Sequence, residues 1–229
     1  MTDFHIMLEA HGAGQKAFSC ASALHYAALA GLRFVGLTIS SDGTDLSRVS
    51  ALAAQVRKIS LYANVEAWLG VELVHLPPAL IPEAVQEARD AGAAYVMVYG
   101  ESLGDQVEQG TNFAAIEAGA DIISHPGLID EKAVAFAAER GVALELTSCP
   151  RHALANAHAS SLACRLGAPV VRGSNACAPE ELTTRLFWPM VIKGSTMAHS
   201  GDGIPNLFEY IRKSEEELIR KLMAKSMRR

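Results

Sequence analysis

The sequence predicts an α/β fold in which helices alternate with buried parallel strands around a barrel. The first observation is a set of glycines, each at the end of a predicted helix and directly before an apolar stretch: Gly31, Gly92, Gly119, Gly141 and Gly167. A glycine just beyond a helix commonly adopts the left-handed C′ conformation, so each one marks a junction between helix and strand. The second observation is the count of seven apolar strands, which favours a distorted seven-stranded (β/α) barrel over two separate domains.

Hydrophobic spacing and helix breakers define the predicted elements in order. The predicted strands are 4–8, 34–37, 66–74, 94–99, 122–123, 142–147 and 170–172. The predicted helices are 18–30, 46–56, 83–91, 112–118, 131–140, 153–166 and 180–187. Pro82 is well placed to open the helix at 83, because the first turn of a helix needs no amide proton from proline.

The chain beyond about residue 190 is predicted to pack onto this barrel. A long loop at 194–205 precedes an amphipathic helix from 207 to about 224. Its charges run from glutamates at 215–217 to Arg220 and Lys221, the order that the helix dipole favours. We therefore expect one domain over residues 1–229.

Composition limits the classes of function. The formal net charge is −5, so the chain has no basic excess for general nucleic-acid binding. Asp3 stands where a signal peptide carries positive charge, and no apolar run reaches the length of a membrane span. The four cysteines (Cys20, Cys149, Cys164 and Cys177) include no CxxC pair, which favours reduced thiols. We expect a cytoplasmic protein that binds neither nucleic acid nor membrane, and its oligomeric state stays open.

Polar residues follow the ends of several predicted strands. His125 comes directly after the apolar pair Ile122-Ile123, and Pro126 then ends the strand because it has no amide proton. The carboxyl ends of parallel strands form the rim at which barrel folds place their chemistry. The same placement brings these side chains to the rim: His5, Glu72, Tyr99, His152, His158, Asn175 and Cys177.

Two imidazoles and a carboxylate on separate strands form a donor set for a divalent metal. His5, Glu72 and His125 provide such a set at the predicted rim. A single rim histidine is more often only hydrogen bonded, so the shared placement of the three residues carries the metal interpretation.

Short segments between Gly70 and Leu182 match a known domain in order and spacing. They are Gly70-Val71-Glu72-Leu73, Val98-Tyr99-Gly100-Glu101, Glu108-Gln109-Gly110-Thr111-Asn112, Ser124-His125-Pro126-Gly127-Leu128, Leu144-Glu145-Leu146-Thr147, His152 through Asn156 to His158, and Asn175-Ala176-Cys177-Ala178-Pro179. In these segments the chain resembles the PHP (polymerase and histidinol phosphatase) domain, in particular its histidinol-phosphatase-like branch. The resemblance implies a distorted seven-stranded (β/α) barrel that holds up to three metals at its strand ends and hydrolyses phosphoesters.

The metal-binding motifs of that family are incomplete in this sequence. The opening Asp-x-His-x-His motif reads Asp3-Phe4-His5-Ile6-Met7, and the Thr-Asp-His motif reads Thr38-Ile39-Ser40. Tyr99 replaces the histidine of Val-His-Gly-Glu, and the late Asp-x-His motif reads Asn175-Ala176-Cys177. The surviving ligands cannot offset the charge of three dications. The resemblance therefore implies at most one metal, with Asn175 or Cys177 completing its coordination.

The first functional hypothesis is a degenerate PHP-fold protein without the multi-metal phosphoesterase activity of the family. Such a protein binds a small ligand, phosphate-containing ligands included, or a protein partner at the rim. The residues assigned to this ligand are Arg151, Arg172, Tyr99, Glu101, Asn156, Asn175 and Cys177. For Arg172, a salt bridge at the edge of the barrel is an equal alternative.

The second hypothesis is a hydrolase that uses one divalent metal: zinc, manganese or iron. His5, Glu72 and His125 hold the metal, and His152 or His158 acts as acid or base. A third version has Cys177 or Cys149 as a nucleophile near His152, although a free cysteine is more often a small buried residue. Whether the chain is an enzyme stays open at this point.

Overall fold

The computed structural model describes residues 1–8, 18–196 and 206–226 of the chain. Within these ranges the strands form one parallel sheet in chain order: β1 (Thr2–Met7), β2 (Phe34–Ser41), β3 (Glu66–Leu73), β4 (Tyr95–Tyr99), β5 (Ile122–Ser124), β6 (Ala143–Thr147) and β7 (Val170–Gly173). Ile6 of β1 pairs with Ala176 just beyond β7, and this bridge brings the first and last strands together. The sheet is a nearly closed seven-stranded barrel, as the sequence predicts.

Helices surround the sheet between successive strands. Their bounds are α1 (Cys20–Leu29), α2 (Val49–Ala63), α3 (Ile81–Asp90), α4 (Thr111–Glu117), α5 (Glu131–Arg140), α6 (Asn156–Leu166), α7 (Trp188–Gly194) and α8 (Leu207–Ser226). The junction glycines have positive φ, from 66° at Gly141 to 108° at Gly92, so their predicted left-handed conformation is confirmed. In the part of the chain that the structure describes, no helix is long and apolar enough to cross a membrane.

The predicted helix at 180–187 is wrong. Pro179–Glu181 forms one 3₁₀ turn, and Leu182 then leaves it in an extended conformation with ψ of 122°. The helix of this region, α7, begins at Trp188 and has a proline in its first turn. The indole of Trp188 is fully buried, so tertiary packing decides where this helix begins. Residues 197–205 of the predicted loop lie outside the described residues.

The amino-terminal half of the barrel interior is filled by an apolar cluster around Tyr95. The hydroxyl of Tyr95 donates to the carbonyl oxygen of Phe4 at 2.9 Å, and its ring lies against Gly36 and Gly70. A β-carbon at either glycine would overlap the tyrosine. Strand and α8 residues complete the cluster: Trp68, Met97, Ile122, Ala143, Val171, Leu218, Ile219 and Leu222. This packing closes one end of the barrel and leaves the carboxyl-terminal half for polar residues.

A buried ion pair attaches α8 to β7. Arg172 donates from Nε to Oε1 of Glu215 at 2.8 Å and from Nη2 to Oε2 at 2.6 Å. Its Nη2 also donates to Oγ1 of Thr2 at 2.9 Å, and the guanidinium lies 5.7 Å from the ring centroid of Trp188. Both charged side chains are buried, so each depends on the other for compensation.

We expect Gly70→Ala to lower the free energy of unfolding by about 1–3 kcal/mol, because the new methyl group overlaps the ring of Tyr95. Urea denaturation followed by circular dichroism measures the change. The control is Gly194→Ala, since a β-carbon at Gly194 has no neighbour within 4 Å. Equal stability of the two variants would contradict the packing described here.

We expect Glu215→Ala to lower the free energy of unfolding by about 3–5 kcal/mol, because it leaves the Arg172 guanidinium buried without a counter-charge. The matched control is Glu131→Ala, which removes the acidic partner of Arg165 from an exposed pair. Surface ion pairs of this kind contribute little to stability, so the control should have nearly the same free energy of unfolding as the parent protein. A small effect of Glu215→Ala would show that the ion pair does not hold α8 in place.

Candidate metal centre

A bulge in β1 brings His5 into the barrel interior. The pairing with β2 joins Asp3 to Val35 and then Ile6 to Leu37, so two residues of β1 stand opposite one residue of β2. A bulge of this kind re-aims side chains. Phe4 packs in the apolar cluster around Tyr95, and the next residue, His5, lies against the carboxylate of Glu145.

Glu145 on β6 joins two histidines through its carboxylate. Its Oε1 lies 2.8 Å from Nδ1 of His5, and its Oε2 lies 2.8 Å from Nδ1 of His125. Oε2 also accepts the backbone N–H of His125 at 3.0 Å. Gly173 on β7 gives this carboxylate its space, because a β-carbon there would overlap Oε1 and lie 2.7 Å from Cβ of His5. The absence of a side chain at Gly173 therefore leaves room for the carboxylate of Glu145.

The sequence interpretation gave Glu145 no role. The residue belongs to the matching segment Leu144-Glu145-Leu146-Thr147, which assigns it no function. One signal is present in the sequence, because Glu145 is the only charged residue of the fully buried strand β6. A buried carboxylate with no partner is costly, so a lone acid in such a strand predicts a buried cation or imidazole beside it.

Glu72 on β3 stands next to this group. Its Oε1 lies 3.3 Å from Nε2 of His5 and accepts the hydroxyl proton of Ser124 at 2.5 Å. The two histidines and both glutamates are each at most 2% exposed. We call these four residues, His5, Glu72, His125 and Glu145, the rim cluster.

The charges of the rim cluster compensate one another in the metal-free protein. Burial acts to raise the pKa of Glu72, but the neighbouring His5 outweighs it and lowers that pKa to about 2. Burial likewise opposes ionisation of Glu145, yet His125 and His5 hold its pKa below the usual range. Burial acts to lower the pKa of His5, whereas the two carboxylates raise it well above its ordinary value. The two carboxylates and the His5 imidazole thus stabilise one another's charged forms.

The donor set of the rim cluster fits one divalent metal. One ligand atom each from His5, His125 and Glu145 can be chosen within 4.8 Å of one another, and all three residues are buried. Nδ1 of His125 is close to Glu145 but poorly aligned for a hydrogen bond, and its Nε2 has no partner among the described residues. Buried ring nitrogens normally have a partner, and two nitrogens with a carboxylate oxygen suit zinc or iron.

His152 and Tyr99 form a wall beside the rim cluster. The ring of His152 stacks on His125 with centroids 4.0 Å apart, and the Tyr99 ring meets His125 edge-on at 5.2 Å. Burial and the adjacent His125 lower the pKa of His152 to about 4, so its imidazole is neutral at neutral pH. Burial raises the pKa of Tyr99, which keeps its hydroxyl protonated.

Four residues expected at the site have structural contacts instead. Arg172 is turned to Glu215 in the buried ion pair, which favours the salt-bridge interpretation over anion binding. Nε2 of His158 lies 2.7 Å from the carbonyl oxygen of Ile129, and the amide of Asn156 bonds both backbone groups of Thr147. Glu101 accepts the N–H groups of Gly110 and Asn112 at the start of α4. These contacts hold the four side chains within the protein and lend no support to roles in binding a ligand or moving a proton, so those roles stay predictions.

Arg151, Asn175 and Cys177 lie around the rim. Arg151 is exposed and donates from Nε to the carbonyl oxygen of Gly104 at 3.0 Å. Asn175 has a left-handed backbone with φ of 53°, directly before the Ala176 bridge that closes the barrel. Burial, with Glu181 nearby, raises the pKa of the Cys177 thiol to about 11. Cys177 is therefore a neutral thiol at neutral pH, which argues against its use as a nucleophile.

We expect Cys177 to alkylate slowly, because two pKa units above the ordinary 9.0 reduce the thiolate at pH 8 about 100-fold. Iodoacetamide labelling followed by peptide mass spectrometry measures its rate. The rate should keep rising with pH to about 11, whereas the same residue in urea should level off near 9. A plateau near pH 9 in the folded protein would contradict the raised pKa.

No family model matches the chain. The uncharacterised protein MJ1295 of Methanocaldococcus jannaschii is 36% identical over 132 residues, which are 57% of this chain and 61% of that protein. The match therefore spans less than two thirds of the length of that relative.

Three solved structures resemble the chain in backbone. The A. niger ochratoxinase has a TM-score of 0.54 at 11% identity, over 86% of this chain and 67% of that one. An adenine deaminase from Arthrobacter aurescens has a TM-score of 0.51 at 13% identity, over 87% and 78%. An amidohydrolase from an environmental sample of the Sargasso Sea has a TM-score of 0.51 at 15% identity, over 96% and 54%. At these identities the likeness shows the fold, a TIM-like barrel, and does not single out the PHP branch.

Proposed function

We propose that the chain is a hydrolase that uses one divalent metal at the carboxyl-terminal end of the barrel. His5, His125 and Glu145 are the ligands, with Glu72 beside them. The observation that carries the proposal is that ligand atoms of two buried histidines and a buried glutamate lie within 4.8 Å of one another. Zinc, manganese and iron are the candidate metals.

Charge balance supports one ion. The rim cluster contains two carboxylates, those of Glu72 and Glu145. With neutral histidines, these two negative charges offset one dication, whereas a second dication would leave net positive charge in a buried site. The PHP resemblance also implies one metal ion, because Met7, Tyr99 and Asn175 stand where a cluster of several metals needs ligands.

A bound divalent metal supplies Lewis-acid polarisation of a substrate oxygen and lowers the pKa of water. The chain's own residues orient the substrate and handle protons beside it. His152 is neutral and stacked on His125, so its ring can exchange a proton or a hydrogen bond without adding charge next to the ligands. The apolar floor around Tyr95 keeps bulk water from entering through the other end of the barrel.

The proposed substrate is a small molecule. The PHP resemblance makes phosphate monoesters the first class to assay. The names of two structural neighbours, an adenine deaminase and an amidohydrolase, make C–N bonds of heterocycles and amides the second class. Arg151 is exposed beside the rim, where it pairs with Asp105, and is a candidate for a cationic contact from the loops.

A second candidate is a metal-free PHP-like protein that binds a small ligand without hydrolysing it. The contacts of His5 favour it, since its two ring nitrogens lie 2.8 Å from Glu145 and 3.3 Å from Glu72. A protonated His5 between two carboxylates leaves part of their charge compensated without a metal. The two candidates differ in metal content.

We expect protein purified without chelator to contain about one zinc, manganese or iron ion per chain, because the donor set fits one divalent ion. Inductively coupled plasma mass spectrometry measures the content. His125→Ala and Glu145→Gln should each lower metal affinity at least about 10-fold, since each removes one ligand.

The control for this experiment is His25→Ala, which removes an exposed histidine on α1. It should retain the metal content of the parent. Metal below about one tenth of an ion per chain, even after incubation with each candidate ion, would contradict the proposal and favour the metal-free protein. Loss of metal in the His25 variant would mean that the ion binds elsewhere.

A further inference from the structure

A chain of hydrogen bonds runs from a rim loop to the wall beside the rim cluster. The backbone N–H of Gly104 donates to Oγ of Ser102 at 3.1 Å. Oγ of Ser102 lies 2.7 Å from Nδ1 of His152, and Nε2 of His152 lies 3.4 Å from the hydroxyl of Tyr99. Ser102 is 7% exposed and His152 is 6% exposed, so bulk water is largely excluded from these contacts.

The hydroxyl of Ser102 sets the direction of this chain. Its oxygen already accepts the Gly104 N–H, and its own proton has one acceptor among the described residues, Nδ1 of His152. When the Ser102 hydroxyl donates to Nδ1 of His152, that nitrogen is an acceptor and the ring proton sits on Nε2. Nε2–H faces the oxygen of Tyr99, so the proton of the Tyr99 hydroxyl must point to another atom. No described residue accepts it.

Gly104 lets the loop approach the histidine this closely. A β-carbon at this position would lie 2.9 Å from Nδ1 of His152 and would also overlap the backbone of Arg151. The contact between Ser102 and His152 therefore depends on a glycine two residues after the serine.

We infer that Tyr99 binds an oxygen atom of the substrate through its hydroxyl proton, and that Ser102 and His152 orient that hydroxyl. This inference rests on the proposed function and specifies one feature of its substrate: an acceptor oxygen, such as a phosphoryl or carboxylate oxygen, that takes the proton of the Tyr99 hydroxyl. The side chain that replaces a histidine of the PHP motif thus contributes a neutral donor beside the metal. Ser102 is a positioning residue, since it acts through His152.

The first test reads the tautomer of His152 in metal-free protein. Chelator-treated protein labelled with ¹⁵N-histidine should show the Nε2–H form in long-range ¹H–¹⁵N spectra, with the signal assigned by its absence in His152→Gln. Ser102→Ala should abolish this preference, and Ser102→Thr should restore it. A dominant Nδ1–H form in the parent, or an unchanged tautomer in Ser102→Ala, would overturn the inferred direction.

The second test measures binding of inorganic phosphate by calorimetry, to zinc-loaded and to metal-free protein. Tyr99→Phe should weaken binding about 10-fold or more, the size of one hydrogen bond to a charged acceptor. Tyr62→Phe is the matched control, because Tyr62 is 86% exposed, and it should bind as the parent does. Equal affinities of Tyr99→Phe and parent, or no phosphate binding by the parent, would overturn the assignment of Tyr99.

The two proposals fail separately. If none of zinc, manganese and iron binds but the tautomer and its response to Ser102→Ala are as expected, the metal-dependent function is wrong and the orientation of Tyr99 by Ser102 and His152 stands. If zinc binds and the tautomer is reversed, the inference about Tyr99 is wrong and the metal site stands. Neither result depends on identifying the natural substrate.

Discussion

Glu145 carries a carboxylate that is buried inside the barrel and shared between His5 and His125. Taking such a charge out of water is expensive, and only close opposite charges and hydrogen bonds offset the cost. Three features of the barrel accommodate this carboxylate: the bulge in β1 directs His5 toward it, Gly173 leaves space for it, and the backbone N–H of His125 donates to it. The positions of both histidines, and so of any ion that they hold, follow from how the barrel accommodates Glu145.

The interior of the barrel is divided into two layers with different chemistry. The amino-terminal layer is apolar and is closed by residues of α8 around Tyr95. The carboxyl-terminal layer contains the rim cluster and its wall of His152 and Tyr99. Apolar packing below the charges keeps the local dielectric low, which strengthens each ion pair above it. The ion pair between Arg172 and Glu215 keeps α8 in place and so supports this division from outside the site.

The side chains beside the rim cluster are neutral. Burial raises the pKa of Tyr99, so its hydroxyl stays protonated and is a neutral hydrogen-bond donor. His152 stacks on His125 and is neutral at the same time. Neutral donors around two buried carboxylates and one proposed ion are chemically coherent, because they add no charge that the buried site would have to compensate.

The sequence by itself determined the order of the seven strands and of the helices between them, the junction glycines and the rim position of His5 and His125. Those features depend on local spacing, on the backbone freedom of glycine and on where a parallel strand ends. Only the tertiary structure decided the partners: Glu145 came to the centre, Arg172 turned to Glu215, and Ser102 met His152. These contacts join residues far apart in the chain, and a buried charge takes whichever opposite charge the packing brings nearest. A local sequence pattern therefore does not predict which partner a buried charge contacts.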